Sequence, residues 1–166
     1  MHRLWAPWRT AYVESAGAGE PPGCFLCAFP AAERDEEHGI LWRGRRWYAL
    51  LNAYPYTNGH LMLVLDRHHE GFAGLDAEEA SELAPALARC EAALRQAYAP
   101  HGLNLGVNLG RAAGAGVVGH LHVHLVPRWN GDTNFMGTVA ETRVLPESLE
   151  SSAARLRAAF AGLGGA

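Results

Sequence analysis

Residues 120–129 read His-Leu-His-Val-His-Leu-Val-Pro-Arg-Trp, with a histidine at every second position from 120 to 124. Side chains alternate across a β-strand with a period of two. His120, His122 and His124 therefore share one face, and Leu121, Val123 and Leu125 share the other. The apolar face calls for a core on that side of a sheet. Pro127 is expected to end the run. A lone buried histidine is usually a hydrogen-bonded core residue. Three in strict alternation instead form a metal site or a set of nucleophilic and proton-transfer groups.

The surrounding chain reads as an α+β domain, an antiparallel meander with a few helices. Residues 1–23, rich in Trp, Pro, Gly and Ala, look like an irregular arm pinned by Trp5, Trp8 and Tyr12. Residues 24–166 form the expected single domain. A short helix is expected over Ala31 to Glu37, and strands over Ile40 to Trp42 and Trp47 to Asn52, with a turn at Gly44. His60 to Leu65 is a nearly continuous apolar run, as suits a central strand. Asp76 and Glu79 form a capping box for a helix whose apolar stripe is Leu83, Leu87, Cys90, Leu94 and Tyr98. Pro85 should bend or split that helix. Leu103 to Leu109 suits a strand with one polar face, and Gly110 to Gly119 a tight loop. Residues 128–142 read as loop with room for a strand, and Ser148 to Leu163 as a terminal helix.

Composition narrows the function. The chain has 166 residues, 49 % apolar and 19 % charged, which is globular and large enough for one real core. A net charge of −3 without a long basic cluster argues against nucleic-acid binding. No run reaches the ~20 apolar residues that cross a bilayer, and the first residues lack the apolar centre of a signal peptide. A cytoplasmic protein is expected.

Neighbouring same-face residues on a strand lie about 6.6 to 7 Å apart. Zinc–nitrogen bonds near ~2.0–2.1 Å cannot gather three imidazoles at that spacing. Divided labour follows, with one imidazole as nucleophile and the others as ligand or donor. A neutral imidazole attacks phosphorus readily and forms a labile phosphoramidate that a second nucleophile can release. Gly114-Ala115-Gly116, just before the strand, lets backbone N–H groups approach a phosphate.

His120-x-His122-x-His124 followed by two apolar residues resembles the signature of the histidine triad (HIT) family of nucleotide hydrolases and transferases. The block from Asn52 through Pro55 and Gly59-His60 into Leu61-Met62-Leu63-Val64 is similar to a second segment of that family. Pro127 to Phe135, with the arm Trp5-Ala6-Pro7-Trp8-Arg9, resembles the family's bacterial diadenosine tetraphosphate phosphorylases, which use inorganic phosphate to give ADP and ATP. The resemblance implies an antiparallel HIT-like fold and a homodimer. It implies that His122 attacks the α-phosphorus and that His124 contacts the phosphate and aids the leaving group. It also implies that Asn52 contacts the ribose, that His60 lies beside the nucleotide, and that Asn108 lies near the phosphates. Many relatives carry Ser or Gln in the loop where Gly116-Val117-Val118-Gly119 offers only backbone donors.

Cys24-x-x-Cys27 has the spacing of a zinc knuckle and needs two further ligands. His68, or its neighbour His69, and His120 complete a Cys2His2 set, which resembles the structural site of galactose-1-phosphate uridylyltransferase and of several bacterial triad proteins. The other readings are small buried apolar residues and a redox pair; against the latter, no strand precedes Cys24 and no clear helix follows.

Overall fold

The computed structural model describes residues 23–133 and 145–164. The expected arm lies outside the described residues apart from Gly23, as does the later part of the 128–142 stretch. Five antiparallel strands form one sheet, β1 (Ile40–Arg43), β2 (Trp47–Leu51), β3 (Leu61–Leu65), β4 (Gly102–Gly106) and β5 (His122–Arg128). Their spatial order is β1-β2-β3-β5-β4. Among the described residues four α-helices accompany them, α1 (Phe25–Ala31), α2 (Asp35–His38), α3 (Ala77–Tyr98) and α4 (Leu149–Gly162). This is the expected α+β, HIT-like architecture, with one long helix and a C-terminal helix. No helix among the described residues is long and apolar enough to cross a membrane.

The period-two pattern of the histidine strand is realised. Leu121, Val123 and Leu125 join Leu61, Leu63 and Leu65 of β3 and Trp47 and Ala49 of β2 in the main core. Helices α3 and α4 cover that face. The opposite face pairs His122 with Val64 and His124 with Met62 across the β3–β5 ladder. There Met62 and Val64 pack with Tyr48, Leu50, Ile40 and Leu26 of α1 in a second, smaller core. Every residue of β2 and β3 is buried because both faces are covered.

Four expectations are corrected. The strand continues through Pro127 to Arg128, because beyond Leu125 it pairs only with β4, at Leu103 and Gly102, and a proline suits such a one-sided ladder. Helix α3 is not split at Pro85 and is continuous from Ala77 to Tyr98. Pro85 lies on its exposed side, as does Ser81, so the carbonyl that loses its partner is open to solvent. Helix starts at Phe25, not near Ala31, because Leu26 is fully buried beneath the sheet and anchors this turn. The strand expected over Leu103 to Leu109 stops at Gly106, which leaves Asn108 in the loop beyond it.

Other readings hold. Asp76 accepts from Glu79 N at 2.8 Å while the Glu79 carboxylate accepts from Asp76 N at 2.8 Å. Cys90 and Leu94 are fully buried on the α3 stripe. Ser148 caps α4, whose Ala153, Leu156 and Phe160 face the core, whereas Leu149 faces outward.

Candidate active site and metal centre

The histidine face divides at His120. Its Nδ1 lies 3.2 Å from Cys24 Sγ and 3.4 Å from Cys27 Sγ. His68 Nδ1 lies 3.6 Å from Cys27 Sγ. One ligand atom from each of Cys24, Cys27, His68 and His120 falls within 4.8 Å of all the others. Ligand atoms around a tetrahedral zinc stand about 3.3 to 3.8 Å apart, given its bond lengths. The residues therefore fit such an ion in number, donor type and spacing. His69 turns elsewhere, with Nε2 only 2.3 Å from where a Cβ on Gly74 would sit, so His68 is the one in the cluster.

The supporting contacts suit ligation. His120 Nε2–H donates to Leu65 O at 2.7 Å, which leaves the Nδ1 lone pair facing the thiols. Tyr48 donates its hydroxyl to Leu26 O at 2.6 Å and ties the cysteine-bearing helix to the sheet. Arg67 grips the buried Glu79 carboxylate and donates to Gly74 O at 2.7 Å, fastening the loop that carries His68. That guanidinium, with the capping bond from Asp76 N, holds Glu79 down to about 2. Burial, reinforced by the neighbouring Cys24 thiol, pushes Cys27 up to about 11. A divalent cation between the thiols would reverse that balance.

Two residues along the strand the chemistry changes. His122 Nδ1–H donates to His120 O at 2.7 Å. A carbonyl can only accept, so the proton of neutral His122 is fixed on Nδ1 and the Nε2 lone pair is free. Burial holds His122 below the usual histidine range, which keeps that lone pair unprotonated at neutral pH. The residue is 4 % exposed.

His124 is set by a second chain of contacts. Tyr56 N–H donates to His60 Nδ1 at 3.1 Å. The proton of neutral His60 is thus on Nε2, which lies 3.0 Å from His124 Nδ1. His124 accepts there and presents Nε2–H outward. Burial, with His124 adding to it, drives His60 down to about 3. Burial and then His122 bring His124 down to about 4. Both rings are neutral at physiological pH, and the direction of the chain is maintained. Asn52 lies against His60, with Nδ2 3.4 Å from its Nε2 and Oδ1 accepting from Tyr54 N at 2.8 Å.

The glycine loop joins through Asn108, whose Nδ2 donates to Gly114 O at 3.3 Å. Gly114 needs its glycine, since its φ of 86° is left-handed. Among the described residues no hydrogen bond joins Gly116 to a triad histidine. The structure thus brings His60, His122, His124, Asn52 and Asn108 to one face, with Cys24, Cys27, His68 and His120 beside them. Three contributors escape sequence reading. They are the His120 carbonyl, the Tyr56 amide and the Arg67–Glu79 clamp. Backbone groups carry no sequence signal, and the clamp hides inside a capping box that looks merely local.

A tautomer-fixed imidazole beside an outward hydrogen-bond donor has the chemistry that group transfer requires. Residues 34–131 match the HIT domain family, and the chain belongs to that family. It is an enzyme of the family. The AP-4-A phosphorylase of Mycobacterium tuberculosis is 38 % identical over 157 residues, which span 92 % of this chain and 80 % of that protein. Among solved structures, a Zn-bound histidine triad family protein from Mycobacterium smegmatis has a TM-score of 0.68 at 29 % identity, covering 85 % of this chain and 95 % of that one. A hypothetical histidine triad nucleotide-binding protein from Sulfolobus tokodaii likewise gives 0.68 at 28 % identity, covering 84 % and 93 %.

Proposed function

We propose that the protein transfers a nucleotidyl group from a dinucleoside polyphosphate through a covalent intermediate on His122, and that its main reaction is phosphorolysis of diadenosine tetraphosphate to ADP and ATP. The observation that carries this reading is the 2.7 Å bond from His122 Nδ1 to His120 O, which leaves Nε2 as the attacking atom. In the first step Nε2 bonds to the α-phosphorus, and the bond to the bridging oxygen breaks with its electron pair. ATP departs as an anion, helped by a hydrogen bond from His124 Nε2–H. The imidazole ring becomes positively charged, and the His120 carbonyl stabilises it. In the second step an oxygen of inorganic phosphate attacks the same phosphorus, the P–N bond breaks, and ADP leaves with His122 restored. Asn52 contacts the ribose, and His60 sets the tautomer of His124. Asn108, Gly114 and Gly116 lie toward the phosphates.

Zinc is assigned to Cys24, Cys27, His68 and His120 as a structural ion, consistent with the fit of the donor set. No step passes through it. A cytoplasmic setting, which keeps thiols reduced, suits these ligands. A homodimer is proposed through β4, an edge strand on which Leu105 is 49 % exposed. Residues 24–166 are taken as one histidine triad domain preceded by the arm.

The test is incubation with diadenosine tetraphosphate, with and without inorganic phosphate. ADP and ATP formed only with phosphate support the reading. AMP and ATP formed in water alone make the enzyme a dinucleoside polyphosphate hydrolase. Turnover of a nucleoside phosphoramidate alone moves the substrate class. No turnover of any of these leaves a nucleotide-binding module and removes the mechanism.

A further inference from the structure

Residues 57–59 stand directly before His60, and each is fixed by a different part of the fold. Thr57 donates its hydroxyl to Pro127 O at 2.8 Å, near the end of β5. Asn58 donates its side-chain amide to the Glu147 carboxylate. Gly59 packs on the ring of Tyr98, the last residue of α3, and a Cβ at Gly59 would lie 2.6 Å from Tyr98 Cε2. The φ of Gly59 is 76°, in the left-handed region, so this corner needs glycine on both counts. His60 N–H then donates back to Thr57 O at 3.2 Å.

The fixings of Asn58 and Gly59 converge on one residue. Glu147 lies two positions before α4, and its side chain is 14 % exposed. Its Oε2 accepts from the Tyr98 hydroxyl at 2.7 Å and from the Ser152 hydroxyl at 3.0 Å. Its Oε1 lies 3.1 Å from Arg155 Nη2. The Arg155 guanidinium also lies over the Tyr98 ring, 5.2 Å from its centroid. A carboxylate has about four acceptor sites, and Glu147 meets Tyr98, Ser152, Arg155 and Asn58. Burial works against its charge, but these partners outweigh burial and hold it below the usual carboxylate range. Asn58 Oδ1 is buried with no hydrogen-bond partner among the described residues, so the amide is oriented from its Nδ2 side alone.

The next residue is His60. It accepts from Tyr56 N–H on Nδ1 and donates from Nε2 to His124 Nδ1 at 3.0 Å. The ring that gives His124 its outward Nε2–H therefore hangs from the corner that Asn58 and Gly59 form. Hydrogen bonds weaken steeply as distance and angle depart from the optimum, so a small shift of this corner loosens the His60–His124 bond. We infer that Glu147 is a positioning residue for the reaction. Through Asn58 and Tyr98 it sets the Gly59–His60 corner, and so the direction in which His60 donates to His124. This inference rests on the role given to His124 in the reaction proposed above.

The test exchanges the two ends of the Asn58–Glu147 bond. Asn58→Asp keeps the shape of the side chain and sets a second carboxylate against Glu147. Asn58→Asp combined with Glu147→Gln restores a donor facing an acceptor. Tyr98→Phe removes the hydroxyl of the other arm and keeps the ring against Gly59, and it carries the test if Asn58→Asp does not fold. Two measurements are made on the full chain. One is steady-state kinetics with diadenosine tetraphosphate and phosphate. The other is long-range nitrogen–proton NMR of the histidine rings at neutral pH, which reads the tautomers without turnover. The wild type should carry the His124 proton on Nε2 alone. Asn58→Asp should show both His124 tautomers and lower kcat about tenfold, with KM for the dinucleotide within about twofold of the wild type. The double exchange should recover the single tautomer and most of kcat. Tyr98→Phe should move both readouts the same way by less, about threefold in kcat. A single, unchanged His124 tautomer in the folded variants, or a loss of kcat that the double exchange does not recover, overturns the positioning role and leaves the reaction intact. A wild type that shows the expected tautomer but does not turn over diadenosine tetraphosphate removes the reaction, and the positioning role with it.

Discussion

His120 and His124 are the same residue type on the same face of one segment, four positions apart, yet they meet opposite surroundings. His120 turns Nδ1 toward two thiols and donates from Nε2 to a backbone carbonyl. His124 accepts a hydrogen bond from His60 Nε2–H on Nδ1 and turns Nε2 toward an open cavity. One ring faces a cluster of metal-binding donor atoms, and the other is oriented to donate a hydrogen bond. The difference comes entirely from partners supplied by other parts of the chain. Either nitrogen of a neutral histidine ring can carry the proton, and the partner of one nitrogen decides what the other can do.

His122 stands between these ends and depends on both, so it is where the comparison breaks most severely. His122→Ala should lower kcat by three to four orders of magnitude or more, as expected for loss of a covalent nucleophile. Intact-mass measurement after mixing with substrate should show a nucleotidyl adduct in the wild type and none in the variant. Full activity in the variant removes the mechanism.

The ligand end is broken by removing its metal. Metal analysis should find about one zinc per chain, lost in a Cys24→Ser, Cys27→Ser double variant. Structural zinc contributes folding energy directly, so the variant should be several kcal/mol less stable in a denaturant titration. Activity should fall as well, because the carbonyl that fixes the His122 tautomer belongs to the ligand His120. A wild type that is folded and free of metal ends this proposal.

The donor end is sharpened by pH. His60 and His124 are held near 3 and 4 in the folded protein, below the ordinary histidine value of 6.5. Between those values and 6.5 the unfolded chain binds more protons than the folded one. Stability from this pair is therefore full above about 6.5 and is lost as pH falls toward 4 and then 3. The slope is about 1.4 kcal/mol per pH unit for each imidazole that stays neutral. Chemical denaturation from pH 7.5 to 4.5 measures it. His60→Phe should flatten part of that slope and cost about tenfold in kcat by releasing the His124 tautomer, with zinc content unchanged. An unaltered slope shows that these rings are not buried neutral.

Much of this arrangement is legible in the amino-acid order because it is local. The period of two puts three histidines on one face and three apolar residues in the core. The Asp76–Glu79 capping box starts the long helix. A Cys-x-x-Cys spacing asks for a tetrahedral ion, and the strand spacing rules out one ion for all three histidines. Pro85 and Pro127 mislead for the same reason in reverse. Local propensity takes no account of a helix side facing water or of a strand end that has lost one neighbour. The start of α1 is missed because Leu26 earns its helix through burial beneath a sheet formed by residues far along the chain.

The sequence alone determines which residues share a face, which segments alternate or spiral, and which side chains carry reactive chemistry, since these follow from backbone periodicity and functional groups. Tertiary structure alone decides which partners each histidine meets. The choice of His68 over His69, the locked Nδ1 proton of His122, the outward proton of His124 and the cavity beside it all depend on atoms brought together from distant segments. Hydrogen bonds and ligand distances are fixed to tenths of an ångström, a precision that residue order reaches only after the chain has folded.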